Sequence, residues 1–399
     1  MTSSANTAVS GLKRGRAELI ALLVGQMALL ALTLDMMLPV LGEIASGHGV
    51  DDRGTAQGVV TAYLAGLALG HLPAGPLSDR VGRKPVLLGG LAVAGLGGLV
   101  VLFAPSFAAL LAGRFLQGLG LAAPRVMVNA ILRDRFVGAE MSRAFSLVIG
   151  TFLIVPALAP ALGQGITAFV PWKGLFVALV AVTALMAAWA WARLPETRAS
   201  GRPASFRATA AALRRNPRSL ALMVATGGMF GCVLTYLASA EAVFMGTYDL
   251  EDGFALAFAV VCVGQILAFL ANAIVVRRLG VQGTCGIGLA CFAALAAFMA
   301  ALCTLGQPPV EAYVAYLAVS LFCFGQIIPN LNAMAMEPLG DVAGSASSLL
   351  GFSTFGIGGG IAAVAGPMVE NDVGMLPAVF LVLSLAVSGA FMATARSWR

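Results

Sequence analysis

Asp35 and Arg114 raise the first chemical question, because each is an ionisable side chain set inside a long apolar run. A charge at the centre of a bilayer costs about 2.5–3.5 kcal/mol on insertion scales, so each needs a reason to be there. If both runs are helices, about 1.5 Å of rise per residue puts Asp35 and Arg114 about 10 Å below the same surface. A carboxyl and a guanidinium at one depth can meet or share a water-filled cavity. A change in water access, or in the distance between them, then moves the carboxyl between holding a proton and releasing it. A static ion pair joining two helices is the plainer alternative.

Arg125 follows Arg114 by 11 residues, which at about 100° per residue returns it to within about 20° of the same helix face. Gln117 lies one turn from Arg114 on that face. All three are candidates to line one cavity, while snorkelling of Arg125 to the nearer surface stays open. Glu241 is a further candidate for the lining; with Asp249, Glu251 and Asp252 close behind, a solvated outer face is the competing reading. His71, just before Pro73, reads as a packed polar residue rather than a proton relay.

The elements that hold these residues follow from composition. The chain is 59% hydrophobic and 11% charged, against about 25% charged for a soluble domain, so hydrocarbon is the solvent for most of it. About 20 apolar residues in a helix cross a core of about 30 Å. Cutting at polar clusters, Pro and Gly predicts an all-α membrane protein of 12 transmembrane helices, over 18–41, 56–74, 85–104, 107–131, 144–168, 173–192, 219–245, 254–276, 281–304, 312–335, 343–367 and 375–394. The first run is too long for the core of a cleaved signal peptide and is expected to be retained. The six cysteines fall in apolar stretches without CxxC spacing and read as small buried hydrophobes.

Basic residues set the orientation. With the N-terminus in the cytoplasm, nearly all of the 24 Lys and Arg fall on that side; only Arg53 and Lys173 lie opposite, and only Arg114 and Arg125 lie within runs. This bias predicts both termini inside and rules out a nucleic-acid surface, since the charge is spread over short loops. The polar stretch 193–218 divides the chain into an N-terminal six-helix bundle (1–192) and a C-terminal one (219–399), joined by a basic cytoplasmic linker. Transporters built from two repeated halves show this layout, with the substrate site near the midplane.

Between the second and third runs lies Gly75-Pro-Leu-Ser-Asp79-Arg80-Val-Gly82-Arg83-Lys84-Pro85, read as a loop in which Gly75 and Gly82 allow a tight turn and Asp79 can pair with a helix end or a neighbouring arginine. It resembles the signature loop of the major facilitator superfamily. Leu111-Ala-Gly-Arg114-Phe-Leu-Gln117-Gly118-Leu-Gly120 is similar to that superfamily's fourth-helix motif, and Pro156-Ala-Leu-Ala-Pro160-Ala-Leu-Gly163 to the fifth-helix pattern of its antiporter branch. Leu34-Asp35-Met-Met-Leu-Pro39, Asn129-Ala-Ile-Leu-Arg133-Asp134 and the stretch Val342 to Gly351 resemble the Bcr/CflA-type exporters of bicyclomycin and chloramphenicol. The resemblance departs at Met27, where some multidrug relatives carry a second acidic residue, and at Glu241, where a small residue is expected.

The resemblance implies two six-helix halves with inverted internal repeats. It also implies a proton-coupled drug exporter working by alternating access in a bacterial inner membrane, as a monomer, on small hydrophobic or amphiphilic compounds. Asp35 and Arg114 would couple protons; Gln117, Arg125, Asn129 and Glu241 would line the substrate cavity; and Gly75, Asp79, Arg80, Gly82, Arg83 and Lys84 would form a conformational switch. A proton-coupled importer or exporter of one metabolite is the alternative. The partners are then protons, a small molecule and lipid, with no nucleic acid, metal or cofactor. No GxxxxGK[ST] or HExxH motif is present and only His48 and His71 could serve a triad, so neither an ATP-driven machine nor an enzyme is expected. The 16 Met and 22 Phe suit loose recognition of apolar ligands but are equally packing material, and Gly356, Gly358, Gly359 and Gly360 point to close helix packing and hinges.

Overall fold

Pro39 decides the shape of the first crossing. Its ring cannot sit against the carbonyl four residues back in a continuing helix, and helix α1 (Thr2–Asp35) stops at that residue. A 3-10 turn at Leu38–Val40 and the short helix α2 (Leu41–Ser46) complete the crossing that the apolar run alone predicts as one helix to 41. In a computed structural model, residues 2–50, 52–136, 138–198, 206–251 and 253–395 are described.

After the short α3 (Arg53–Ala56) come α4 (Gly58–Val81), α5 (Arg83–Leu102), α6 (Phe107–Arg135), α7 (Gly138–Thr167) and α8 (Lys173–Arg193). Part of the expected linker, 199–205, lies outside the described residues; the rest includes helix α9 (Phe206–Arg215). The second half holds α10 (Pro217–Glu241) with a π-helical turn at Ala242–Thr247, α11 (Phe254–Thr304), α12 (Val310–Met336), a 3-10 turn at Glu337–Val342, α13 (Ala343–Asn371) and α14 (Met375–Ala395). Ten helices among the described residues are long and apolar enough to cross a membrane. One of them, α11, is 51 residues long and breaks at Gly280 (φ 72°, ψ 169°), so it crosses twice. Counting the 30-residue α7, this is the 12-helix architecture.

The signature stretch is not a loop. Gly75 to Val81 continue α4 despite Pro73 and Pro76, Arg83 already begins α5, and the whole turn is Gly82 at φ 114°. Gly75 is helical and buried, so only Gly82 supplies the backbone freedom that the sequence assigned to both.

Glycines set how closely the helices approach. A Cβ on Gly66 would fall on the Phe115 carbonyl, and one on Gly118 on the Tyr63 carbonyl, so α4 and α6 touch backbone to backbone. Without a hydrophobic drive between helices in lipid, such contacts supply the van der Waals packing that holds them. The two halves meet along antiparallel α4 and α13, where Gly366, Gly359, Gly356 and Gly351 lie against Gln57, Leu64, Ala68 and His71 in turn. Gly358 packs on α10 beside Gly227 and Gly231, whereas Gly360 faces open space and takes no part.

Substituting Gly118 with leucine is expected to abolish recovery of monodisperse protein in size-exclusion chromatography, because a branched side chain there must displace backbone. Gly360→Ala and Gly89→Ala, where nothing lies within 4 Å of the added carbon, are expected to leave the elution profile and melting temperature unchanged.

Candidate functional site

An α-helix leaves its last four carbonyls without intrahelical partners, and the break at Asp35 buries such carbonyls deep in the first half. Arg114 of α6 answers them. Its guanidinium is fully buried and donates from Nη1 and Nη2 to the Thr33 carbonyl at 3.2 Å, from Nε to the Val59 carbonyl at 3.4 Å, and from Nη1 to Gln117 Oε1 at 2.8 Å. It also lies over the Tyr63 ring, 4.7 Å from the centroid. A cation at the negative end of the α1 dipole adds to the hydrogen bonds.

No Asp35–Arg114 ion pair, the plainer alternative of the sequence reading, is present among the described residues. The arginine binds the carbonyl two residues before Asp35, and the Thr33 and Val59 carbonyls and the Gln117 amide together occupy its donors. Gln117 is therefore a buried partner of Arg114 rather than a group in an open cavity. Asp35 itself is 2% exposed, and its Oδ1 has no hydrogen-bond partner. The Leu38–Val40 turn just beyond it packs against α10, so the carboxyl lies close to where the two halves meet.

Arg125 is half-buried and faces the second half, 5.1 Å from the centroid of Phe355 on α13. His71 stacks on the same ring at 5.3 Å and donates from Nδ1 to the Leu67 carbonyl at 2.6 Å, so it is packed as expected. Arg114 lies over the rings of Tyr63 and Phe176, whereas Arg125 lies over Phe355. Tyr63 is buried, donates its hydroxyl to the Leu30 carbonyl, and went unnoticed in the sequence because a tyrosine in an apolar helix is commonplace. Asn129 is exposed, and Glu241 is half-buried with Oε1 against Gly42 of α2. Pro156 and Pro160 lie inside α7, and Gly163 brings α7 onto the Met36 carbonyl, directly after Asp35.

At the end of the bundle where α1 begins, Arg83 is the hub. It donates from Nη1 to Asp79 Oδ1 and to Ser78 Oγ, both at 2.6 Å, and from Nε to Asp134 Oδ2 at 3.1 Å. Glu196 closes the cluster from beyond α8: its carboxylate accepts from the backbone N–H groups of Arg83 (2.9 Å) and Lys84 (3.2 Å) at the start of α5, and from those of Thr197 and Arg198. Burial pushes the Glu196 carboxyl up, but these four backbone hydrogen bonds outweigh it and hold the group below the ordinary carboxylate value. Arg80 is exposed and offers its carbonyl to Arg198, while Lys84 donates to the Trp191 carbonyl at 2.7 Å.

Residues 23–363 match the sequence family described as Major Facilitator Superfamily. The chain belongs to that superfamily. It is 30% identical over 348 residues, 85% of each chain, to a bicyclomycin resistance protein homolog of Haemophilus influenzae. It is 32% identical over 306 residues to the multidrug resistance protein MdtL of Escherichia coli, covering 73% of this chain and 74% of that one. A third relative, 29% identical over 93% of each chain, is the uncharacterized MFS-type transporter YdgK of Bacillus subtilis. Among solved structures, the human organic anion transporter MFSD10 matches with a TM-score of 0.65 over 95% of this chain and 99% of that one, at 18% identity, which supports the fold alone. The superfamily member described here is thus a multi-pass membrane transporter, and its relatives agree with the Bcr/CflA resemblance of its motifs.

Replacing Arg114 with methionine leaves the Thr33 carbonyl and Gln117 Oε1 buried and unsatisfied, at about 1–3 kcal/mol each; a fall in melting temperature in detergent is expected, and Arg114→Lys is expected to recover only part of it, since an ammonium lacks the fork. The Glu196 hydrogen bonds stabilise the fold above the unfolded carboxyl range and are lost as pH falls through the lowered native value. Glu196→Gln is therefore expected to melt earlier than wild type at neutral pH, with the gap closing below about pH 4 in melting curves taken across pH.

Proposed function

We propose that this superfamily member is a proton-driven exporter of small hydrophobic or amphiphilic compounds, with Asp35 as its proton carrier. The observation that carries the reading is the Asp35 carboxyl, buried at the break in the first crossing, lacking a donor on Oδ1, and followed by a turn that packs on α10 of the second half. An ionisable group in that place is exposed to a new environment each time the halves rock, which is what coupling requires. Arg114 acts by holding the break in shape rather than as a counter-ion. Bicyclomycin and multidrug resistance are what the named relatives are known by, and they favour export of drug-like compounds here.

In this reading 1–192 and 219–399 are the moving halves and 193–218 their cytoplasmic linker, with both termini in the cytoplasm and the protein acting as a monomer. A proton moving inward gains about 2.3 kcal/mol per 100 mV, enough to drive accumulation of substrate outside. Arg125, Asn129 and Glu241 remain the polar part of the substrate path. The Asp79–Arg83–Asp134 brace is the switch at the cytoplasmic end, made when the first half is rigid there.

Adding bicyclomycin and chloramphenicol to purified protein at pH 7 is expected to release protons from wild type and none from Asp35→Asn. Release that persists unchanged in the variant would remove Asp35 as carrier and turn attention to Glu241.

A further inference from the structure

The phenol of Tyr236 is the mirror of Asp35 across the two halves. It is 1% exposed, on α10, and its hydroxyl has no hydrogen-bond partner, just as Oδ1 of Asp35 has none. Its ring is fixed by stacking on Phe258 of α11 at 5.7 Å, so the hydroxyl has little freedom to seek another partner. Helix α10 packs on the Leu38–Val40 turn that follows Asp35, and Glu241, at its end, lies against Gly42. A donor and an acceptor, each buried and each unsatisfied, therefore belong to crossings that pack on one another from opposite halves. Two such orphans on packed crossings call for a state that joins them, because leaving either unmade is expensive.

We propose that Tyr236 is the positioning residue for proton exchange at Asp35: its phenol donates to the Asp35 carboxylate, directly or through one water, when the proton has left. The proposal rests on the reading of Asp35 as the proton carrier. The bond ties α10 to the broken end of the first crossing in the deprotonated protein, and separation of the halves breaks it, freeing the carboxylate to take a proton. No covalent step is involved; one hydrogen bond is exchanged for one proton.

The other titratable groups around the junction leave this role to Tyr236. Tyr63 of α4 already donates to the Leu30 carbonyl. Arg114 of α6 is taken by Thr33, Val59 and Gln117, and Arg125 lies over Phe355. Cys262 of α11 is buried, with only a weak S–H to donate. Glu241 lies nearer the membrane surface, against Gly42, and can only accept when ionised. On α2 Glu43 is exposed, and on α7 Glu140 is bound to Arg16 at the far end.

Infrared difference spectroscopy of the purified full chain across pH tests this without knowledge of the substrate. The Asp35 carboxyl band is identified as the one lost in Asp35→Asn, and its midpoint is then measured in Tyr236→Phe and in Tyr63→Phe. Removing a donor from a carboxylate favours its protonated form, so Tyr236→Phe is expected to move the midpoint alkaline by about one pH unit, while Tyr63→Phe moves it far less. If Tyr236→Phe cannot be recovered folded, fluorotyrosine at 236 replaces it; as a stronger donor it is expected to move the midpoint the other way. An unchanged midpoint in the Tyr236 variants overturns the proposal and leaves Asp35 as carrier. A wild type in which no band depends on Asp35 overturns the carrier reading itself, and the role of Tyr236 with it.

Discussion

A single guanidinium holds together a helix that its own sequence breaks. Pro39 ends α1 at Asp35 and leaves carbonyls facing a water-poor interior, where unsatisfied backbone groups cost several kcal/mol. Arg114 supplies the missing donors from another helix, and its burial is tolerable only because its partners are fixed carbonyls and an amide. Each needs the other: the break without the arginine would be unsatisfied, and the arginine without the break would be an unsolvated charge. The same turn then serves as a platform on which α7 sits through Gly163 and α10 packs from the second half.

Around this fixed point the packing divides into two kinds. Within the first half, glycine contacts bring α4 and α6 to backbone distance, which leaves no room to slide. Between the halves, α4 and α13 meet through side chains, with Leu64, Ala68 and His71 set against Gly359, Gly356 and Gly351. Phe355 stacks on His71 at that contact, Phe230 packs on Phe355, and Phe324 packs on Phe230 in turn, so aromatic rings of three helices continue it. Backbone contact within and side-chain contact between suits the rocking proposed above, because side chains can change rotamer where backbone cannot.

Much of this was legible in the residues themselves. Apolar run length gave the crossings to within a few residues at most ends, and the motifs pointed to Arg114, Asp79 and Arg83. What escaped was partnership. Equal depth and helical phase place Asp35 and Arg114 near each other, but they cannot say that a carbonyl will outcompete a carboxylate for the guanidinium. Pro39, four residues after Asp35, was the available signal for the break and hence for the carbonyls. Glu196, an acid between Pro195 and Thr197 in a basic stretch, hinted at a clasp, but nothing local shows that its target is the start of α5, more than a hundred residues earlier. Tyr63 and Tyr236 carry no sequence signal, because their meaning lies in what surrounds them.

The Arg83 hub also bears on how the protein is made. Its side chain and the first amides of α5 find their partners at residues 79, 134 and 196, the last of them beyond the sixth crossing. During synthesis the first three crossings therefore enter the bilayer with an arginine whose ring of partners is incomplete. The cluster is complete only once Glu196 has left the ribosome, a short stretch of chain before the second half begins to emerge. The clasp makes the end of the first half a checkpoint in assembly: one bundle is finished before the helices that could mispair with it arrive.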